Sequence, residues 1–377
     1  MKVVFLSAFY NHHQSALSAA LSDRCDYTYV ATSGMPTERR ELGYGMECIP
    51  DYVVDCSKEP DKVDRLLRRA DVIIAGSAPE KLVRACILRG QLVFRYSERP
   101  LKNGPEPLKY LPRLLRWHWR NPPGKRVYLL CASAFAAGDY GKFGLFRGRA
   151  FRWGYFPEVK RYEDPEALLA GKKRKNILWA GRFLSWKHPD DALKVAKKLK
   201  AAGYDFTLQL IGTGEMDQSL RNLADEMDLG DRVRFLGPMK PEAVRRHMEE
   251  SEIFLFTSDR GEGWGAVLNE SMNSGCAVVA SDAIGAVPYL IRNGENGIVY
   301  HSGDVEELYQ KVRLLMDQPE KCRTLGSSAY RTMRDQWEPE LAAQRLLTTA
   351  EKILDGTFRD PLWAEGPCSA ADTEEGK

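Results

Sequence analysis

The chain of 377 residues has no run of about 18 apolar residues, the length that a membrane-spanning helix needs. It has no Cys-x-x-Cys pair. Its eight cysteines, Cys25, Cys48, Cys56, Cys86, Cys131, Cys276, Cys322 and Cys368, are scattered, and its six histidines are dispersed. A disulfide framework and a structural zinc site are therefore not expected, and the thiols suit a reducing, cytoplasmic compartment. No internal repeat of 20–50 residues occurs, which sets aside a solenoid. The opening run Val3–Leu6 is too short for a signal peptide and reads as a buried strand.

What is present is the composition of a soluble globular protein, 44% hydrophobic and 28% charged. The length suggests about two domains. The net charge of +3 conceals an asymmetry. Residues 1–160 hold 26 Lys/Arg and 16 Asp/Glu, a balance of +10, and the remainder carries −7. The excess is local: residues 95–152 alone hold 13 basic and 3 acidic residues. Opposite signs in the two halves point to different partners for each.

Strand-like runs alternate with helix-like segments along both halves. Val3–Leu6, Tyr27–Val30, Val72–Gly76, Gln91–Arg95 and Val127–Leu130 are followed in the second half by Asn176–Ala180, Phe206–Ile211, Val233–Leu236, Ile253–Phe256, Ala277–Ala280 and Gly297–Tyr300. Helical patterns separate many of them. This alternation predicts an α/β protein with two doubly wound, Rossmann-like domains facing a cleft. The expected divisions are an N-terminal domain over 1–158, a C-terminal domain over 173–335, a helix over 336–356 that crosses back to the first domain, and a mobile tail over 357–377. Ligands of such sheets sit beyond the carboxyl ends of the strands, so the loops that follow strands deserve the closest reading.

One such loop leads into Glu262-Gly263-Trp264-Gly265-Ala266-Val267-Leu268-Asn269-Glu270. Gly263 and Gly265 stand at the expected start of a helix, where free backbone N–H groups suit an anion such as a diphosphate. Eight positions of helix rise about 12 Å, so Glu262 and Glu270 would serve different parts of an extended ligand. A second loop, Gly181-Arg182-Phe183-Leu184-Ser185-Trp186-Lys187, follows the Asn176–Ala180 strand. An arginine fork and a lysine point charge on one loop can hold one diphosphate.

These two segments occur in order with Leu210-Ile211-Gly212-Thr213-Gly214, Phe235-Leu236-Gly237, Ser281-Asp282-Ala283-Ile284-Gly285-Ala286-Val287-Pro288 and Asn293-Gly294-Glu295-Asn296-Gly297. Over roughly residues 175–355 the chain resembles the donor-binding domain of GT-B glycosyltransferases of the retaining family four (group 1) type. The first half departs from that family. Where a glycine-rich loop is usual after the first strand, it carries Tyr10-Asn11-His12-His13-Gln14. The resemblance implies a nucleotide-diphosphate sugar as donor, with Gly181, Arg182, Lys187 and the backbone of Gly263, Trp264, Gly265 and Ala266 around the diphosphate. Glu262 would hold donor-sugar hydroxyls, Glu270 the ribose, and the loops at Gly212, Gly237 and Met239 would frame the base. It also implies a hydroxyl acceptor on a surface polysaccharide or lipid-linked glycan. No Asp-x-Asp sequence occurs, so neither a metal nor another cofactor is needed to explain the site.

On the acceptor side, His12 and His13 follow the first strand, where a histidine can position or deprotonate a hydroxyl; a capping or packing role is the alternative. Arg95, Ser97 and Glu98 are comparable candidates for binding the acceptor. The stretch Leu108–Arg120 mixes Lys109, Arg113, Arg116 and Arg120 with leucine and tryptophan. It reads either as a helix lying on an anionic membrane or as a helix whose apolar face is core. No nucleic-acid-binding module is present. Gly212-Thr213-Gly214 begins like a dinucleotide fingerprint, but Asp217 stands where its third glycine belongs, against a nicotinamide cofactor. Two other readings share the fold: a nucleotide-sugar epimerase, and a non-catalytic membrane-peripheral binding protein.

Overall fold

The structure, a computed structural model, describes residues 1–36, 48–102, 104 and 107–371. It divides into two compact units. One comprises residues 1–158 and the chain from Trp337 onward, the other Val159–Gln336. Each is built on one parallel sheet. In the first unit, β1 (Lys2–Ser7), β2 (Asp26–Ala31), β3 (Val53–Asp55), β4 (Val72–Ala75), β5 (Leu92–Ser97), β6 (Val127–Cys131) and β7 (Ala150–Arg152) lie in the order β3-β2-β1-β4-β5-β6-β7. In the second, β8 (Lys173–Ala180), β9 (Thr207–Ile211), β10 (Val233–Gly237), β11 (Ser251–Phe256), β12 (Ala277–Ser281) and β13 (Ile298–Tyr300) lie in the order β10-β9-β8-β11-β12-β13.

Strands covered by helices on both faces must be apolar throughout rather than alternating. The central strands obey this: every residue of β4, β11 and β12 is buried. In each sheet the order reverses beside the first strand, β1 lying between β2 and β4 and β8 between β9 and β11. At such a switch point the loops leaving two neighbouring strands diverge and open a crevice. In the second unit these are the loops after β8 and β11, which carry Arg182, Lys187 and Glu262.

Several helices start on a proline, at Pro60, Pro189, Pro241 and Pro339, where the missing N–H is harmless. The helix Val305–Asp317 is capped by Asp304, whose side chain accepts from the Glu307 N–H at 2.8 Å. Helices at Pro241–Glu250, Val305–Asp317 and Pro319–Gln336, and the three-residue strands β3 and β7, are elements the periodicity left unassigned. The second unit begins at Val159, earlier than the expected 173. Lys160 N–H donates to Asn273 Oδ1 at 2.8 Å, and the buried Lys172 ammonium donates to the carbonyls of Met248, Glu249 and Ser251.

The helix Pro339–Leu354 packs on the helix His12–Ser22 of the first unit. The segment that follows it is not the mobile tail expected from its composition. Residues 368–371 run antiparallel to β7, with Arg152 N donating to Ser369 O at 2.8 Å and Cys368 N to Arg152 O at 2.9 Å. Cys368 and Ser369 are fully buried. An uncovered edge strand exposes unpaired backbone groups, and this segment satisfies those of β7. Residues 372–377 of the expected tail lie outside the described residues. All eight cysteines are free thiols, and no described helix is long and apolar enough to cross a membrane.

The loops after β8 and β9 touch backbone to backbone. A Cβ on Gly212 (φ +142°) would fall 1.8 Å from Gly181 O, and one on Gly214 would fall 2.4 Å from Phe183 O. Gly212→Ala should therefore destabilise the protein by about 3 kcal/mol or more. Gly230→Ala, in open space, should stay within about 0.5 kcal/mol of wild type. Urea denaturation midpoints check this, and equal midpoints for the two variants would contradict the packing described.

Candidate active site

The site assembles around Thr257, the first residue after β11. Its hydroxyl accepts from the Trp179 indole N–H at 2.9 Å and donates to the carbonyls of Lys187 and His188, at 2.7 and 2.9 Å. Asp259 adds a second tie. Its N–H donates to Trp186 O at 2.9 Å, while its carboxylate accepts from Gly261 N–H at 2.7 Å and faces His188 Nε2 at 3.1 Å. The loop after β8 is thus bolted to the loop after β11.

Across that junction Lys187 Nζ pairs with Glu262 Oε2. Only 13% and 11% of these side chains are exposed, so the charges meet largely out of water. Ser258 Oγ donates to the same oxygen at 3.2 Å. Both bonds fall on Oε2, so the other oxygen retains its capacity for a further donor. Lys187 also stands over the Trp186 ring at 4.6 Å, and its stem passes Gly181. Arg182, half-buried at the end of β8, pairs with no carboxylate among the described residues. A guanidinium left unneutralised beside a paired lysine is disposed to meet an anion.

The helix Ala266–Asn273 begins directly beyond this pair. Gly265 (φ +90°) lies against Phe256, where a Cβ would approach the ring to 2.3 Å. The first N–H groups of a helix have no intrahelical acceptor, so this end offers donors and positive dipole to an anion. Glu270, on the next turn, is half-buried. Removal from water pushes its carboxyl up to about 7, against the opposing pull of the Arg245 guanidinium. Gly212 N–H donates to Gly237 O at 2.9 Å, joining the loops after β9 and β10, with Met239 half-buried two residues on.

The backbone role expected of Trp264 leaves its side chain to the core, and the expectation for Arg95 needs correction. Trp264 has no exposed surface; its indole N–H donates to Asn269 Oδ1 at 2.9 Å, and its ring lies 6.3 Å from that of Tyr289. Its side chain is core, and only its backbone is left to serve a ligand. Arg95 is a brace within the first unit. Its guanidinium makes two bonds to the Glu80 carboxylate, at 2.6 and 3.1 Å, one to Asn121 Oδ1 at 2.9 Å and one to Arg120 O at 2.8 Å. Those bonds occupy four of its five N–H donors and tie the guanidinium to its own unit.

The other candidates of the first unit form a set at the carboxyl ends of its strands. His12 and His13 open the helix after β1, where Asn11 Oδ1 accepts from His13 N–H at 3.0 Å. Tyr155 stacks on His13 at 6.1 Å and donates to Glu98 Oε1 at 2.6 Å. Ser97 Oγ bonds to Glu98 O at 2.8 Å and to Tyr140 Oη at 3.1 Å. Sequence reasoning missed Tyr155, His188, Ser258 and Asp259. The last three lie on post-strand loops already singled out, but their roles are contacts between loops and leave no spacing signature.

Residues 160–332 match the profile of the family described as glycosyl transferases group 1. An uncharacterized glycosyltransferase of Haemophilus influenzae is 33% identical over 156 residues, 41% of this chain and 43% of that protein. A GDP-mannose-dependent monoacylated alpha-(1-6)-phosphatidylinositol monomannoside mannosyltransferase of Corynebacterium glutamicum is 28% identical over 204 residues, 50% of this chain and 52% of that one. The chain thus matches about half the length of these relatives. Among solved structures, Anabaena HepE in complex with UDP aligns with a TM-score of 0.71 at 18% identity, over 93% of this chain and 100% of HepE. The lipopolysaccharide outer core galactosyltransferase WaaB aligns with a TM-score of 0.66 at 13% identity, over 93% of this chain and 99% of WaaB. The likeness to these structures is one of fold: two Rossmann-like units of the GT-B class.

The raised pKa of Glu270 carries a consequence for stability. The folded state holds this proton more tightly than the unfolded chain does, so the residue's contribution is fullest at low pH. It declines as pH rises from about 4.5 through about 7. Glu270→Gln removes that decline, so its melting temperature relative to wild type should rise between pH 5 and pH 8. A difference that stays constant over this range would contradict the assignment.

Proposed function

We propose that the chain, whose residues 160–332 match the glycosyl transferases group 1 family, is a retaining glycosyltransferase that moves a sugar from a nucleotide diphosphate to an acceptor hydroxyl. The observation that carries this reading is the convergence, at the switch point of the second sheet, of Arg182, Lys187, the Gly263–Gly265 helix start and the paired Glu262. Transfer breaks the bond from the anomeric carbon to the diphosphate oxygen, whose electrons leave with the phosphate. The anomeric carbon gains oxocarbenium character, and the acceptor oxygen bonds to it on the same face as it loses its proton. Negative charge grows on the diphosphate, where Arg182, Lys187 and the helix N–H groups are already in place. Fixed donors of this kind stabilise a transition state without reorganising. These groups suffice for the charge, so the reaction is written without a metal or other cofactor.

Glu262 would accept from donor-sugar hydroxyls and Glu270 from the ribose. Gly212, Gly237 and Met239 would border the base. His12, His13, Ser97 and Glu98 are assigned to the acceptor, with a histidine taking its proton. HepE was solved with UDP, and also with UDP-glucose; a UDP-sugar is accordingly the first donor to test. The acceptor is assigned to a surface polysaccharide or a lipid-linked glycan, on the cytoplasmic face of a membrane. Supporting that location, Leu108 in the turn before the helix Tyr110–Arg120, and Leu111, Leu115 and Trp119 on the helix, are exposed apolar side chains, interleaved in sequence with Lys109, Arg113 and Arg116.

Two substitutions test the site. Glu262→Ala should lower sugar transfer at least about a hundredfold with the fold intact by circular dichroism; full activity would sink the assignment. Arg182→Ala should weaken nucleoside diphosphate binding at least about tenfold in calorimetric titration, and unchanged affinity would remove it from the site.

A further inference from the structure

The first unit holds a second concave site that the transfer reaction does not use. The loop 121–126, which leads into β6, and the loop 143–149, which leads into β7, border a pocket of about 290 Å³. Both loops feed the amino ends of their strands. The pocket therefore lies at the opposite edge of the sheet from the carboxyl-end loops that carry His12, His13 and Glu98. Lys125, Arg147, Arg149 and His118 line it, and no carboxylate does.

Two internal bonds hold the walls. Arg149 Nη1 donates to Lys125 O at 2.9 Å, and His118 Nε2 meets Phe143 O at 2.9 Å. A carbonyl can only accept, so Nε2 carries a proton there. The Lys125 ammonium and the Arg147 guanidinium pair with no carboxylate among the described residues. Like charges gathered in a concavity without a counter-charge favour an anion, and the combination of a fork and a point charge suits a phosphate.

The neighbouring surface identifies the source. The helix Tyr110–Arg120 supplies His118 to the pocket and carries the exposed apolar row. Leu108, Tyr110, Leu111, Leu115 and Trp119 are five of the eight large hydrophobic side chains exposed among the described residues, and Leu108 is 96% exposed. Such a row enters the interface of a bilayer while flanking cations meet its anionic headgroups.

We propose that this pocket is a phosphate-binding site and that its occupant is the phosphate headgroup of an anionic lipid on the bilayer that the helix contacts. The source of the phosphate rests on the membrane location proposed above; the cation set does not.

The test is sedimentation of the full chain with vesicles of phosphatidylcholine containing either phosphatidylglycerol or phosphatidic acid, matched in surface potential, with calorimetric titration of inorganic phosphate alongside. Phosphatidic acid presents its phosphate uncovered. Wild type should bind those vesicles at least fivefold more tightly than the phosphatidylglycerol ones. The double variant Lys125→Gln/Arg147→Gln should lose that preference, whereas Arg113→Gln/Arg116→Gln should weaken both bindings and keep the ratio. Binding to both vesicles without any preference, or a preference that Lys125→Gln/Arg147→Gln leaves intact, would overturn the lipid assignment of the pocket. Absence of all vesicle binding would overturn the membrane location. If inorganic phosphate then still bound wild type and not Lys125→Gln/Arg147→Gln, the pocket would stand as a site for free phosphate. Absence of both would overturn the site itself.

Discussion

The salt bridge between Lys187 and Glu262 joins the two loops on which the site depends. It spans the point where β8 and β11 part, and it brings opposite charges together largely away from water. Such a pair contributes little net stability, because each charge loses its hydration; what it fixes is geometry. Removing either member strands the other as an uncompensated buried charge. Thr257 and Asp259 hold the backbone beneath it, so the pair has little freedom to drift. An anion arriving at Lys187 competes with Glu262 for the ammonium. In the proposed reaction, diphosphate binding would thereby loosen the carboxylate that receives the sugar, linking occupancy of one half of the donor site to readiness of the other.

The strands were legible because buried parallel strands are continuous apolar runs, as in Ile253–Phe256 and Ala277–Ala280. The donor side was legible because glycines, cations and acids at strand ends keep a fixed spacing. What stayed hidden depends on partners distant in sequence. Arg95 stands near the carboxyl end of its strand as a ligand-binding residue would, but Glu80 neutralises it and Asn121 takes a further N–H. The small and polar residues after Gly356 suggested a mobile tail, because composition does not register that β7 leaves an edge to be covered. Strands of three residues, such as β3 and β7, are too short for any period to emerge.

The charge asymmetry of the sequence now has a location. The basic excess over residues 95–152 surrounds the apolar row of the helix Tyr110–Arg120 and the pocket at its end. In both units several cations are matched by nearby carboxylates, as Arg99 and Lys142 are by Asp139 in the first and Lys160 by Glu249 and Lys194 by Asp190 and Asp191 in the second. Arg182 is a cation that this pairing passes over, at the position where a diphosphate would sit.

The most direct test of the central claim compares nucleoside diphosphates with their monophosphates by thermal shift. A ligand bound only to the folded state stabilises by about 2.7 kcal/mol at a hundredfold excess over its dissociation constant. If Arg182, Lys187 and the Gly263–Gly265 helix start form a diphosphate site, one nucleoside diphosphate should raise the melting temperature well above the shift given by the matching monophosphate. Equal shifts from the two, or none from UDP, GDP or ADP, would contradict it.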